Sequence, residues 1–151
     1  MKSFLVRAAR PADHGALAGV LAELLGRPQL AEGLKAALNT NLLRMLSAPG
    51  TALLVAEDEE AALLGFVSLW TRWGLLDAAP SGFIDRIVVR QAWQDSAVPH
   101  ALLEQALGAC QALGCGEVDF VPAEGSLLPS ASLQAFGFEA AQEGRYRLSI
   151  L

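Results

Sequence analysis

The run Phe83-Ile84-Asp85-Arg86-Ile87-Val88-Val89 passes through Arg90-Gln91-Ala92-Trp93-Gln94-Asp95-Ser96 into an apolar segment that starts near Ala97. A short run rich in Ile and Val reads as a strand, and a polar turn followed by an apolar helix reads as the start of a crossover. Gly114 and Gly116 end that helix, and Glu117-Val118-Asp119-Phe120-Val121 is the next strand. The stretch from Val89 to Val121 therefore has room for one helix, which calls for a parallel strand pair with a helix on its face.

The remaining segments fit around this unit. Ser3-Phe4-Leu5-Val6-Arg7 is a first strand, and Arg10-Pro11-Ala12-Asp13 turns it into a helix from about Ala12 to Leu25. A second helix from Glu32 to Met45 places Leu34, Leu38, Leu42 and Met45 on one face. Ala52 to Ala56 and Ala62 to Trp70, separated by Glu57-Asp58-Glu59-Glu60, read as an antiparallel hairpin. In the crossover helix, Val98, Ala101, Leu102, Gln105, Ala109 and Leu113 lie near one broad side, with Leu103, Ala106, Leu107 and Cys110 adding apolar surface. A connection from Pro122 to Ser130, a short helix from Ala131 to Ala135 and a last strand from Arg145 to Ile150 complete a mixed α/β or α+β sheet.

Charge and cysteine usage narrow the function classes. A net charge of -5, from 16 acidic and 11 basic residues, supplies no broad positive field, so nucleic acid is not the expected partner. No membrane-spanning run or signal peptide stands out, and a cytoplasmic protein with reduced thiols is expected. Cys110 and Cys115, with His14 and His100 far away in sequence, make no zinc pattern, so no metal is expected; Cys110 packs on a helix face and Cys115 sits in a turn.

The order of strand, two helices, hairpin, the Ile84 to Val89 strand, the helix around Ala101-Leu102-Leu103, the Glu117 to Val121 strand and the late Phe136-Gly137-Phe138 resembles the GNAT superfamily of N-acetyltransferases over nearly the whole chain. The resemblance implies a single domain over residues 1–151, with a mainly antiparallel twisted sheet flanked by helices, and acetyl-CoA/CoA as cosubstrate. In that family a central strand holds the pantetheine arm through exposed backbone groups, and a glycine-rich turn at the next helix binds pyrophosphate. Carried over residue by residue, Ile87, Val88 and Val89 take the strand positions. Gln94, Asp95, Ser96, Ala97, Val98 and Pro99 cover the turn, followed by His100. Convergent N–H groups at a helix N-terminus favour an anion. Asp95 opposes one, Pro99 removes a donor, and Ala97 lacks glycine's freedom. Ser96 as a cap and Pro99 in the first turn give the other reading, a turn that serves to start the helix. Where the family often carries a tyrosine that protonates the departing thiolate, this chain has Leu133; Tyr146 is read as core or rim packing.

The implied activity is direct transfer of an acetyl group to a small-molecule amine or a protein amino group within a ternary complex. The alternative is a catalytically weak or inactive binding or assembly protein on the same scaffold. Asp85 and Glu117 are the candidate proton acceptors, acting through water. Their plain alternative is a strand-edge or ion-pair role, for Asp85 with Arg86. Trp70, Trp73, Asp77, Phe83 and Glu124 are candidates for the acceptor side. The resemblance and the Trp70 and Gly74-Leu75-Leu76 surfaces leave a homodimer as open as a monomer.

Overall fold

Apolar alternation over three consecutive segments builds the centre of the molecule, and the computed structural model describes residues 3–121, 130–140 and 146–150. In chain order the elements are β1 (Phe4–Ala8), a 3-10 turn (Pro11–Asp13), α1 (His14–Leu24), α2 (Glu32–Ser47), β2 (Thr51–Asp58), β3 (Leu63–Arg72), β4 (Ser81–Val89), a second 3-10 turn (Gln91–Trp93), α3 (Val98–Ala112), β5 (Glu117–Phe120), α4 (Ser130–Ala135), β6 (Glu139–Ala140) and β7 (Tyr146–Ser149). The strands form one sheet in the order β1-β2-β3-β4-β5-β7-β6. The β4–β5 pair is parallel, and the other pairs are antiparallel. The mixed, mainly antiparallel sheet expected from the sequence is therefore present. Residues 122–129, with Glu124 among them, and Arg145, expected to open the last strand, lie outside the described residues.

Each sheet face carries its own core. Val67, Leu69, Ile84, Val89, Val118 and Phe120 meet α3 through Val98, Leu102, Leu103, Ala106 and Cys110. On the other face Leu53, Val55, Phe66 and Val88 meet Leu17 and Val20 of α1 and Leu42 of α2. Two helix faces differ from expectation. Leu34 is exposed while Leu38, Leu42 and Met45 turn inward, because the stripe that meets β2 starts one turn into α2. Gln105 and Leu113 also face out, since the buried stripe of α3 centres on Leu103, Ala106 and Cys110. β6 has only two residues, too few to show a period.

The end of α3 explains the cysteines. Gly114 adopts φ of 80°, its N–H bonds Gln111 O, and the Cys115 N–H bonds Cys110 O at 3.0 Å. This pairing is a Schellman cap, which folds the residue after the glycine back onto the last turn. Both thiols end up buried and free, beneath Gly82 of β4, where an added Cβ would come within 2.9 Å of Cys110 Sγ.

Near the N-terminus, Arg7 of β1 bonds Asp13 through two nitrogens at 2.9 Å and reaches Glu57 of β2 at 3.0 Å. Asp13 also accepts the Arg10 N–H at 2.7 Å. The Arg7 guanidinium holds the Asp13 carboxyl below its ordinary range.

Two predictions follow from these contacts. Because the folded value of Asp13 is depressed, its contribution to stability is present above the unfolded value of about 3.9 and is lost as pH falls through the folded value. Asp13→Asn should lower unfolding stability by about 1–3 kcal/mol at pH 7 and flatten the acid limb below pH ~4, read by denaturant titration at several pH values. Burial pushes the Cys110 thiol up to about 12 and raises that of Cys115. A thiol reagent at pH 8 should therefore leave the folded protein unlabelled and label both cysteines once it is denatured; fast labelling of native protein would contradict the packing.

Candidate active site

The site begins with one extra residue in β4. Ser68 opposes Arg86 and Leu69 opposes Ile84, so Asp85 has no partner of its own across β3 and forms a bulge. The bulge changes the facing of everything after it. Ile84 before it and Ile87 and Val89 after it all pack toward α3, while Val88 joins the α1–α2 side. The consecutive polar residues Asp85 and Arg86 interrupt the two-residue alternation in the sequence, and the pairing with β3 decides that Asp85 is the extra one.

The edge of β4 opens at the same point. Pairing with β5 runs from Ser81↔Glu117 to Ile84↔Phe120, where β5 ends, while β4 continues through Asp85 to Val89. The Arg90 N–H bonds Leu64 O on β3 at 2.8 Å. With antiparallel alternation, the backbone groups of Val88 also turn to β3, and those of Ile87 and Val89 turn to the vacated side. Gln94 Nε2 donates to Val89 O at 3.2 Å, which agrees with that direction.

The turn into α3 is closed largely on itself. Ser96 Oγ donates to Trp93 O and accepts the Val98 N–H at 3.2 Å, closing a side-chain turn just ahead of Ala97, the N-cap of α3, which makes no side-chain cap bond of its own. Pro99 lies in the first helical turn, and Val98 and Pro99 are buried. The Ala101 N–H bonds Ala97 O. Among the described residues, the N–H groups of Asp95, Ala97 and His100 have no bond. The turn is also tied to α1, since Glu23 accepts the Gln91 N–H at 3.0 Å and Arg90 lies 3.7 Å from the same carboxylate. Asp95 and Ala97 are exposed, and the His100 ring stacks on Phe136 with centroids 5.5 Å apart.

On the α1–α2 face, the helices cover Phe66 and Val88, and Trp70, Phe83 and Asp119 farther along the sheet are not part of that core cluster. Register there sets two rows across three strands, Arg72–Ser81–Glu117 and Trp70–Phe83–Asp119. They frame a cleft of about 260 Å³ lined by Trp70, Arg72, Ser81, Gly82, Phe83 and Asp119. The Trp70 and Phe83 rings stack at 4.7 Å. Asp119, a buried carboxylate at 7% exposure, was not singled out by sequence reasoning. Its signal was the alternation of β5, which places Glu117 and Asp119 opposite the apolar Val118 and Phe120.

Asp85 is exposed beside this cleft, and Ser68 Oγ donates to its Oδ2 at 3.4 Å. Among the described residues no ion pair joins Asp85 to Arg86. Glu117 accepts from Ser81 Oγ at 3.5 Å at the cleft's outer row. Trp73 stands 67% exposed outside the lining. Asp77 accepts the Gly74 N–H at 2.7 Å and closes its own loop. Leu133 is fully buried, and Tyr146 packs against the α3-side core. No group of metal-ligating side chains occurs among the described residues, and none of the described helices is long and apolar enough to cross a membrane.

The profile of the acetyltransferase (GNAT) family matches residues 21–138, and the chain belongs to that family. Solved structures share the fold at low identity. Aminoglycoside N-acetyltransferase AAC(6')-Iy in complex with CoA is 18% identical, with 95% of this chain and 92% of that chain covered and a TM-score of 0.76. A GNAT family acetyltransferase from Brucella melitensis in complex with acetyl-CoA is 16% identical, with 100% and 90% covered and a TM-score of 0.71. Glucosamine-6-phosphate N-acetyltransferase from Arabidopsis thaliana is 16% identical, with 93% and 95% covered and a TM-score of 0.74. No curated protein sequence matched the chain.

Proposed function

We propose that this protein is an acetyl-CoA-dependent N-acetyltransferase acting on an amine held in the cleft beside Asp85. The observation that carries the reading is the open edge of β4, which runs from the bulge at Asp85 toward the N-terminal end of α3. Membership of the GNAT family and fold neighbours solved with CoA or acetyl-CoA support the choice of cosubstrate.

The residues fit that group. Ile87 and Val89 would hold the amide-bearing arm by strand-like hydrogen bonds, each contributing about 0.5–1.5 kcal/mol. The N–H groups of Asp95, Ala97 and His100, with the positive end of the α3 dipole, would hold the diphosphate. The thioester supplies the acetyl group: a bond forms from the amine nitrogen to the carbonyl carbon, the carbon–sulfur bond breaks, and of the two protons the ammonium sheds one ends on sulfur and one in water.

Asp85, at the junction of cleft and open edge, accepts the amine proton through water, and Glu117 draws the cationic amine toward the cleft. The outward N–H of Val89 or Ile87 polarises the carbonyl. Leu133 offers no proton, but a free thiol ionises near pH ~8.5, so water can protonate the leaving sulfur. A Cys110 thiol pushed up to about 12 is a poor nucleophile, which favours direct attack over an acyl-enzyme. A cleft of about 260 Å³, below the ~300–1,000 Å³ of sites for drug-sized ligands, favours a small amine over a protein segment. Two buried reduced thiols suit a cytoplasmic setting.

Asp95 and Pro99 favour a second reading, a weak or inactive binding protein on the same scaffold. Calorimetry with acetyl-CoA, CoA and dephospho-CoA separates the two. Saturable binding at about -8 kcal/mol or tighter is expected, and a folded sample that binds none of them would favour the scaffold. Asp85→Asn should lower turnover about 100-fold or more with the acetyl-CoA Kd unchanged, while unchanged turnover would remove Asp85 from the mechanism. Asp95→Asn should tighten acetyl-CoA by up to about fivefold, an effect that shrinks at high salt.

A further inference from the structure

The turn between β4 and α3 keeps an ordinary backbone. Among the described residues Ala61 is the only one other than glycine with a positive φ, so the segment from Gln91 to Pro99 runs its course without left-handed geometry. Its shape therefore depends on what it is bonded to. Most of those bonds are local: the Gln94 N–H to Gln91 O, the Ser96 N–H to Trp93 O, and the side chains of Gln94 and Ser96 to backbone between Val89 and Val98. Among the described residues, a single hydrogen bond reaches residues 91–97 from outside the stretch 89–101, the one from the Gln91 N–H to Glu23 of α1 at 3.0 Å. The other oxygen of Glu23 lies 3.7 Å from Arg90, whose Nε donates to Leu63 O of β3 at 2.8 Å. One turn back along α1, Gly19 leaves room for that guanidinium, since an added Cβ would come within 3.3 Å of Arg90 Nη2. A carboxylate in the last turn of a helix opposes the negative end of the dipole, so Glu23 is favoured by these two partners and not by its own helix.

We infer that Glu23 is a positioning residue for the cosubstrate: with Arg90 it clasps the turn to α1 and so holds the N–H groups of Asp95, Ala97 and His100 where the diphosphate of acetyl-CoA binds. This rests on the acetyl-CoA reading and names the residue that sets its phosphate grip. Glu23 fixes Gln91, Gln91 O accepts from Gln94, and Trp93 O accepts from Ser96, which flanks Asp95 and Ala97. Trp93 also meets Phe4 of β1 edge-on with centroids 6.5 Å apart, which anchors the inner side of the same turn. The amide-bearing arm would bind earlier, along the β4 edge at Ile87 and Val89, where Glu23 makes no hydrogen bond. Loss of the clasp therefore acts on one end of the cosubstrate. The charge of Glu23 works the other way, because a carboxylate bonded to the turn opposes a diphosphate. Geometry and charge are separable by substitution.

The test uses the intact protein with acetyl-CoA and with S-acetylpantetheine, which carries the thioester and the arm but no diphosphate. Affinity is read by calorimetry for the first and by NMR titration for the second. Glu23→Ala should weaken acetyl-CoA about fivefold to tenfold and leave S-acetylpantetheine within about twofold of the wild type. Glu23→Gln, whose amide oxygen still accepts the Gln91 N–H, should stay within about twofold of the wild type for both ligands. Gln91→Pro deletes the donor, and Arg90, at φ of -56° and ψ of 143°, already has the backbone of a residue before proline. In that background Glu23→Ala should add no further loss. Unchanged or tighter acetyl-CoA binding in Glu23→Ala, an equal loss for both ligands, Glu23→Gln as weak as Glu23→Ala, or a further loss on top of Gln91→Pro would overturn the inference and leave the cosubstrate reading standing. A folded wild-type protein that binds neither ligand would sink the cosubstrate reading and the clasp with it.

Discussion

The bulge at Asp85 is the constraint on which the rest of the site depends. In a strand, moving the phase by one residue sends each side chain to the opposite face. Without the extra residue, Ile87 and Val89 would leave the α3 core and Val88 would leave the α1–α2 core. Fully burying one such side chain is worth about 1.5–3 kcal/mol, so three misplaced side chains would cost several kcal/mol and the register is strongly held. Gly65 belongs to the same arrangement: a Cβ there would fall 2.5 Å from Val88 O, so the close approach of β3 to the second half of β4 requires glycine.

That single insertion also separates two kinds of surface. Before it, β4 is paired on both sides and presents Ser81 and Phe83 as the middle of a floor. After it, among the described residues, β4 is paired with β3 alone and presents backbone groups of Ile87 and Val89. The side-chain floor and the backbone edge thus meet at one residue, Asp85, whose carboxylate accepts a hydrogen bond from Ser68 of β3 at 3.4 Å. The turn beyond is held independently through Glu23, Gln94 and Ser96, so its shape does not wait for a ligand. Preorganisation of that kind lowers the ordering cost of binding.

The elements with a clear period were legible in the sequence. The hairpin, the crossover helix, the Glu117 strand and the glycine stop of α3 all appear close to their expected bounds. Pairing is what the sequence withholds, since a bulge is defined by the partner strand and nothing in Ile84-Asp85-Arg86-Ile87 marks which residue will be extra. The same limit hid the cleft. Arg72, Phe83 and Asp119 come from three strands and become neighbours only through register. Asp85 and Phe83 were visible as candidates because they sit in the defining strand, whereas Asp119 looked like one polar residue in a short apolar run. Leu34 and Gln105 were placed on buried faces because a helical period gives the direction of a stripe but not the point at which the sheet beneath it stops.

The altered turn and the cleft bear on each other. A glycine-rich turn can aim many N–H groups at a diphosphate, whereas this one keeps three open among the described residues and carries the exposed Asp95. Each absent hydrogen bond forgoes about 0.5–1.5 kcal/mol, and an exposed like charge adds up to about 1 kcal/mol against the anion. The backbone edge is indifferent to side-chain identity, so it keeps its contribution whatever the turn has lost. In the reading proposed above, a weakened phosphate end leaves selectivity to contacts that depend on side chains, and on this sheet the cleft is lined by Trp70, Arg72, Ser81, Phe83 and Asp119. For an acetyltransferase of the kind proposed, the same change would loosen the cosubstrate and its thiol product together, which would raise the working concentration needed but also speed product departure. In the reading proposed above, a weaker phosphate grip therefore does not by itself imply lost turnover.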